Sequence, residues 1–268
     1  MKPEFSELSY AFAYTAELAR KLSSNLTVAP SFPSTSVEGK KGYGYDLKLG
    51  LSGIPLFLQF KLSHCMIRKD AAEFSSGKFV QGKPVDPVYR FYLMALGKSR
   101  QTALMLQLEK RHDLVFYVAP AFHRAQELNK HFIAGSVEKH SRAIRPSRIK
   151  KMPDKLEHFV SYRQTGPCFR FSDNPEQLED SAESIATAIN SAEAREMTAG
   201  ALVESMLSVL REAGDISIPF AIDLESTEFG ASVSAQYISR TFFGCELLFV
   251  QRERPNNSFK PTPLRGAA

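Results

Sequence analysis

The strongest constraint in the sequence is the apolar run from Leu114 to Phe122. Its residues are apolar without alternation, which is typical of a strand that is buried on both faces. The run therefore predicts a mixed α/β fold with this strand in its interior. It is about half as long as the ~18 to 20 apolar residues that a membrane-spanning helix requires, so no membrane span is expected.

The composition is that of a folded protein. Of the 268 residues, 43% are hydrophobic and 24% are charged, which excludes disordered, collagen-like and coiled-coil chains. Glu4 stands where the apolar core of a secretory signal would begin, so we expect a cytoplasmic protein. The three cysteines, Cys65, Cys168 and Cys245, are far apart and odd in number. Buried thiols are therefore expected rather than disulfides or a Cys-x-x-Cys metal site.

Hydrophobic periodicity predicts an alternation of helices and strands along the chain. In the N-terminal half the predicted elements are a helix over 4–23, strands over 42–49 and 56–63, a further strand over 88–94, a helix over 98–112 and the buried strand over 114–122. In the C-terminal half they are a hairpin of 157–163 with 169–171 around Gly166-Pro167, a helix over 181–213 with Gly200 as a break, and strands near 216–223 and 245–250. The expected fold class is α/β, or α+β.

Charge is distributed unevenly along the chain. The net charge is +5, but residues 136–155 carry seven Lys or Arg against Glu138 and Asp154, whereas residues 173–204 carry eight acids against Arg195. This change predicts a boundary near residue 172, between a core with its basic segment over 1–171 and an acidic extension of helices and strands over 172–254. Residues 255–268 contain three prolines and no acid and are predicted to be a disordered tail.

The basic segment over 136–155 is a candidate surface for nucleic acid, because clustered Lys and Arg neutralise phosphates. Its candidate contacts are Arg142, Arg145, Arg148, Lys150 and Lys151. Two other interpretations stay open. The segment is equally typical of a solvated loop, and it could pair with the acidic region within the chain or across a homo-oligomer.

The pattern with the most chemical content lies in the predicted strand over 56–63. Because side chains alternate between the two faces of a strand, Gln59 and Lys61 point to the same side. If this strand forms a hairpin with the one before it, through a turn at Ser52-Gly53, then Asp46 lies directly opposite Gln59. Cross-strand Cβ atoms are roughly 4.5 to 5.5 Å apart, so a carboxylate and an amide oxygen there could share one metal ion.

The first helix carries a carboxylate that does not follow its polar stripe. Ser6, Ser9, Glu17 and Arg20 recur at helical spacing and are predicted to face solvent, whereas Glu7 lies about 100° away from them. Glu7 is therefore predicted to point toward the interior or its edge, where a carboxylate needs a partner. An acid at a helix N-terminus is also favourable without any further role.

Together these residues resemble the PD-(D/E)XK nuclease superfamily, the restriction-endonuclease-like fold. Its common core is a helix, three strands, a helix and a strand, with an acid on the first helix, an Asp on the second strand and an acid-x-Lys pair on the third. By this resemblance Glu7 matches the helix acid, Asp46 the strand Asp, and Gln59-Phe60-Lys61 the pair, over roughly residues 4–122. Gln59 departs from the pattern, in which Glu or Asp is usual.

The resemblance implies a nuclease that depends on Mg²⁺ or Mn²⁺ and acts on DNA or, as the less favoured substrate, on RNA. Asp46 would be the direct metal ligand and Gln59 a neutral one, while Lys61 would orient the attacking water or stabilise developing charge. Glu7 would hold a metal-bound water or the lysine. An amide in place of a carboxylate removes one negative charge beside the cation, so weaker metal binding is expected.

Two further candidates for contact with phosphate or base, Arg100 and Gln101, lie at the start of the predicted helix over 98–112. A second class of function stays open, namely a non-catalytic nucleic-acid-binding or assembly protein on the same fold. A third is an accessory protein of unknown ligand. Residues 255–268, PNNSFKPTPLRGAA, resemble the translated recombination site of many integron gene cassettes. That resemblance implies a mobile bacterial gene, often one with an accessory or defensive role.

Overall fold

The computed structural model describes residues 1–22, 52–82, 86–94, 99–149, 158–172, 174–179, 184–193, 195–214 and 228–251. The helices within them are α1 (Glu7–Lys21), α2 (Ala72–Ser75), α3 (Gln101–Glu109), α4 (Ala125–Ile133), α5 (Pro146–Ile149), α6 (Ile185–Ser191), α7 (Ala199–Glu212) and α8 (Glu228–Ile238). The strands are β1 (Ser52–Phe60), β2 (His64–Met66), β3 (Val88–Leu93), β4 (Leu114–Pro120), β5 (Ser141–Ile144), β6 (His158–Tyr162), β7 (Phe169–Phe171), β8 (Glu176–Gln177), β9 (Met197–Thr198) and β10 (Glu246–Val250). A 3-10 turn spans Glu138–His140 and a π-helical turn spans Ser239–Phe243. Among these described helices, none is long and apolar enough to cross a membrane.

The first sheet has the strand order β10-β1-β4-β5, and β9 pairs with the start of β1. β1 runs parallel to β4, with Leu56 opposite Leu114. β10 lies antiparallel on the other edge of β1, with Leu58 opposite Glu246. β4 is buried along its whole length and is paired on both edges, which confirms the strand predicted from its apolar sequence.

The second sheet has the strand order β2-β3-β6-β7-β8, and its pairs are antiparallel. β3 confirms the strand predicted over 88–94. β6 and β7 form the hairpin predicted around Gly166. The φ of Gly166 is 83°, a left-handed conformation that glycine adopts at little cost.

Alternate residues of β1 face two hydrophobic clusters, one on each side of the first sheet. Phe57 packs with residues of α3, α7, α8 and the second sheet. Leu56 and Leu58 pack with residues of α1, α4 and α6. The predicted alternation is confirmed, and it puts Gln59 on the same face as Phe57.

The chain after residue 172 is built into the same sheets and core as the chain before it. β8 pairs with β7, and β10 pairs with β1. α7 packs against α3 within one hydrophobic cluster. The two segments therefore share their core across the predicted boundary.

Two predictions about local structure are wrong. Ser52 and Gly53, predicted as a hairpin turn, belong to β1 and pair with β9. The helix predicted over 181–213 is instead α6 and α7, separated by a stretch that contains β9. Gly200, the predicted break, lies in the first turn of α7. The pairing of β1 with β9 accounts for these differences, because tertiary contacts outweigh local turn and helix preferences.

Candidate functional site

Gln59 and Lys61 lie where β1 ends. Gln59 is only 2% exposed, and Lys61, just past the strand, is half-buried. The Lys61 N–H donates to the carbonyl of Val118 on β4 at 2.9 Å. This bond continues the parallel ladder by one residue and fixes where the lysine leaves the sheet.

The hairpin that was predicted to bring Asp46 opposite Gln59 is wrong. β4 occupies one edge of β1, and β10 pairs with the other edge through Leu58. A preceding strand therefore cannot pair with this part of β1 in the predicted register. Asp46 itself lies outside the described residues.

Within the described part of the chain, one hydrogen bond orients the Gln59 amide. Its Nε2 donates to the main-chain carbonyl of Phe243, at the end of the π-helical turn, at 3.3 Å. Its Oε1 is buried and has no hydrogen-bond partner among the described residues. A buried oxygen without a donor costs about 1 to 3 kcal/mol, so it calls for an explanation such as a ligand or an ion.

The Lys61 ammonium has a neutral partner in the described part of the chain. Its Nζ donates to Oε1 of Gln101, at the start of α3, at 3.3 Å. It also lies 6.0 Å from the centre of the Tyr117 ring. Burial lowers the pKa of Lys61 below its ordinary value of 10.5, and the charge of Glu7 acts in the opposite direction. A buried lysine with a lowered pKa is a candidate functional group.

Glu7 lies at the edge of this site. It is an exposed residue in the first turn of α1, which begins after the N-cap Ser6. Partial burial of its carboxyl raises its pKa above the ordinary value of 4.5, and the charge of Lys61 opposes that rise. Glu7 and Lys61 therefore influence each other electrostatically, although they come from different elements.

The prediction that Glu17 faces solvent is wrong, since this residue is 1% exposed. Its carboxylate accepts a hydrogen bond from the N–H of Val137 and pairs with Lys21 at 2.7 Å. The chain around the 3-10 turn thus covers this side of α1. Ser9 and Arg20 are exposed as predicted, and the apolar Leu8 and Phe12 are exposed as well.

Gly244 adjoins the two amides of the site. Its φ is 65°, and it follows the π-helical turn directly. A Cβ atom at this position would overlap Nε2 of Gln101 and would lie 3.0 Å from Nε2 of Gln59. Neither Gly244 nor the Phe243 carbonyl was predicted as part of the site. The only local signal is a glycine after a helix, which is typical of an ordinary C-terminal cap.

Two of the predicted basic contacts are engaged within the protein. Arg142 is buried, and its Nε donates to the carbonyl of Arg163 at 3.0 Å. Arg145 donates to the carbonyl of Asp113 and lies 4.8 Å from the centre of the Phe116 ring. Both guanidinium groups therefore hold neighbouring loops and strands together.

The remaining candidate cations are closer to the surface. Arg148 pairs with Glu179, a contact between the basic and the acidic segments. Arg100 donates to the carbonyl of Ala213 at 3.4 Å. Lys150 and Lys151 lie outside the described residues. The Arg148 pair agrees with the interpretation in which the two charged segments meet within the chain.

One atom of the site has the chemistry of a ligand for a hard cation. Across the described ranges, no three His, Cys, Asp or Glu side chains are grouped so that they could hold a metal ion. What fits such an ion is the orphaned Oε1 of Gln59, because Mg²⁺ takes oxygen ligands and keeps several waters.

Comparison of the chain with protein-family models, with curated proteins and with solved structures gives no match. The basis for a functional inference is therefore the site itself.

Proposed function

We propose that this protein is a phosphodiesterase that depends on a divalent metal ion and cleaves nucleic acid, DNA in preference to RNA. The observation that carries this proposal is the grouping of Gln59, Lys61 and Gln101, with Glu7 acting on the pKa of the lysine. Glu7 lies on α1, Gln59 on β1 and Gln101 on α3, and Lys61 directly follows β1.

Lys61 is the residue that would act at the scissile phosphate. A positive charge in a partly buried site is less screened than one in water, so it stabilises negative charge on phosphate oxygens more effectively. Gln101 accepts from the ammonium and directs it. The charge of Glu7 raises the pKa of Lys61 and therefore favours its protonated form.

Asp46 and Gln59 would hold the metal ion. When bound, Mg²⁺ would neutralise charge on the phosphate and lower the pKa of a water molecule. Gln59 would offer its buried Oε1, the atom that lacks a donor among the described residues. Because this ligand is neutral, we expect weaker metal binding than a second carboxylate would give. We also propose that the protein acts in the cytoplasm, in an accessory or defensive role.

A cleavage assay tests this proposal. The substrates are single- and double-stranded DNA and RNA, with Mg²⁺ or Mn²⁺ added. We expect cleavage by the wild-type protein and its loss in Lys61→Met and in Asp46→Asn. Lys110→Met, which removes an exposed lysine just after α3, is the matched control. Cleavage that persists in Lys61→Met, or in the presence of a chelator, would overturn the proposal.

One observation favours a second candidate, a nucleic-acid-binding protein without catalysis. The Gln59 amide is neutral and is held by the Phe243 carbonyl, as a structural side chain would be. In that case the wild-type protein binds DNA with an affinity that falls as salt increases, and it cleaves none of the substrates.

A further inference from the structure

The π-helical turn before Gly244 is fixed by bonds within its own segment. The Ser239 hydroxyl donates to the carbonyl of Cys245 at 2.9 Å, and the Cys245 N–H donates to the carbonyl of Ser239 at 3.0 Å. The Arg240 guanidinium pairs with Glu246 at the start of β10. Single π-helical turns are rare and occur frequently at functional sites.

The π-helical turn and the glycine after it position the two amide side chains of the candidate site. The Phe243 carbonyl accepts from Nε2 of Gln59, so the turn determines that Oε1 is the atom left without a donor. Gly244 leaves the volume that the Gln101 amide occupies, since a Cβ atom there would overlap Nε2 of Gln101. With its amide in that volume, Gln101 turns its Oε1 toward Nζ of Lys61.

We propose that Gly244 and Gln101 are positioning residues for Lys61, with Gly244 holding the space in which the Gln101 amide accepts from the lysine. Neither residue needs to touch a substrate for this role. The consequence for cleavage rests on the proposed function, whereas the arrangement around Lys61 is measurable without it.

The substitution Gly244→Ala tests this positioning role without a large change to the fold. Nε2 of Gln101 is the end of a flexible side chain, so it can move away from a new methyl group while the backbone stays in place. The substitution also introduces a left-handed alanine, whose cost must be matched in a control. Gly135→Ala supplies that control, because the φ of Gly135 is 60° and no atom lies within 4 Å of its Cβ position.

The first readout is the chemical shift of the Lys61 side-chain nitrogen, measured by NMR at one fixed pH on protein with ¹⁵N-labelled lysine and assigned with Lys61→Arg. Gly244→Ala displaces the oxygen that accepts from the ammonium, so the Lys61 signal should move. Gly135→Ala should leave the signal in place, with a similar loss of thermal stability. Gln101→Ala, which introduces no backbone strain, should move the signal as Gly244→Ala does.

The second readout is a double-mutant cycle. In the Gln101→Ala background, Gly244→Ala should move the Lys61 signal no further, because the group that it displaces is already gone. Equal Lys61 shifts in Gly244→Ala and Gly135→Ala, or additive effects of Gly244→Ala and Gln101→Ala, would overturn the inference.

The cleavage rate gives the functional measure. A displacement of about 1 Å in a positioned group costs about a hundredfold in rate, so we expect a fall of that order in kcat for Gly244→Ala and little change in Gly135→Ala. Absence of cleavage in the wild-type protein would refute the proposed function alone. The NMR chemical shifts would then still decide whether Gly244 and Gln101 position Lys61.

Discussion

His112 should make the stability of the fold sensitive to mild acid. It lies just after α3 and is 4% exposed, with its Nε2 3.0 Å from the hydroxyl of Ser205 and its ring 5.3 Å from that of Phe57. Burial lowers its pKa from 6.5 to about 4, and the charge of Arg111 adds to this effect. The unfolded chain therefore binds a proton at His112 that the folded protein excludes.

The magnitude follows from the difference between the two pKa values. As the pH decreases below the pKa of His112 in the unfolded chain, the unfolded state takes up the proton. The free energy of unfolding then decreases until the pH reaches the pKa of His112 in the folded protein. At 1.36 kcal/mol per pKa unit, the loss attributable to His112 is about 2 kcal/mol at pH 5 and about 3 kcal/mol at pH 4. Above about pH 7 it is close to zero.

Urea unfolding of the wild-type protein and of His112→Gln between about pH 7 and about pH 4.5 measures this contribution. The amide of glutamine can still bond the Ser205 hydroxyl, but it does not titrate. Carboxylates and other histidines contribute equally to both proteins, so the difference between the two curves isolates His112. Parallel curves over this range would show that the His112 pKa is not lowered.

Three further predictions concern charged residues of the site and its surroundings. Lys61→Met should raise the pKa of Glu7, and Glu7→Gln should lower that of Lys61, since each charge now favours the ionised form of the other. NMR titration measures both pKa values, and a shift in the pKa of only one of the two groups would contradict the coupling. Glu17→Gln should lower the free energy of unfolding in urea by about 2 kcal/mol, because it weakens charge-assisted bonds to a buried carboxylate. Glu7→Gln, which changes an exposed residue of the same helix, is its control. An equal loss of unfolding free energy in both variants would show that the bonds of Glu17 do not stabilise the fold. Arg142→Ala should destabilise the fold and leave unchanged the slope of log Kd for DNA against log salt, whereas a decrease in slope of about 1 would identify a phosphate contact.

Prediction from sequence succeeded where the hydrophobic period alone decides the outcome. β4 was recognisable because a strand buried on both faces is apolar without alternation. The shared face of Gln59 and Lys61 followed from the period of two in β1. Both inferences need only the local sequence and no knowledge of which strands pair.

Most of the failures arise where distant segments meet, and one arises because local capping residues were overlooked. Ser52-Gly53 has the composition of a turn, but pairing with β9 keeps it extended. The helix predicted over 181–213 ignored two N-caps, Ser184 and Thr198, whose side chains accept from N–H groups in the first turns of α6 and α7. Glu17 was misplaced because a helical wheel assumes one covered side, whereas α1 is also covered by the chain near Val137.

The position of β10 beside β1 has a consequence for the protein during its synthesis. Phe243, whose carbonyl orients Gln59, follows that residue by 184 positions. In a nascent chain that ends before β10, the edge of β1 that pairs with β10 is therefore still open. Open strand edges recruit other chains, and closing so long a loop is slow. The arrangement around Gln59 is therefore complete only after β10 has paired with β1.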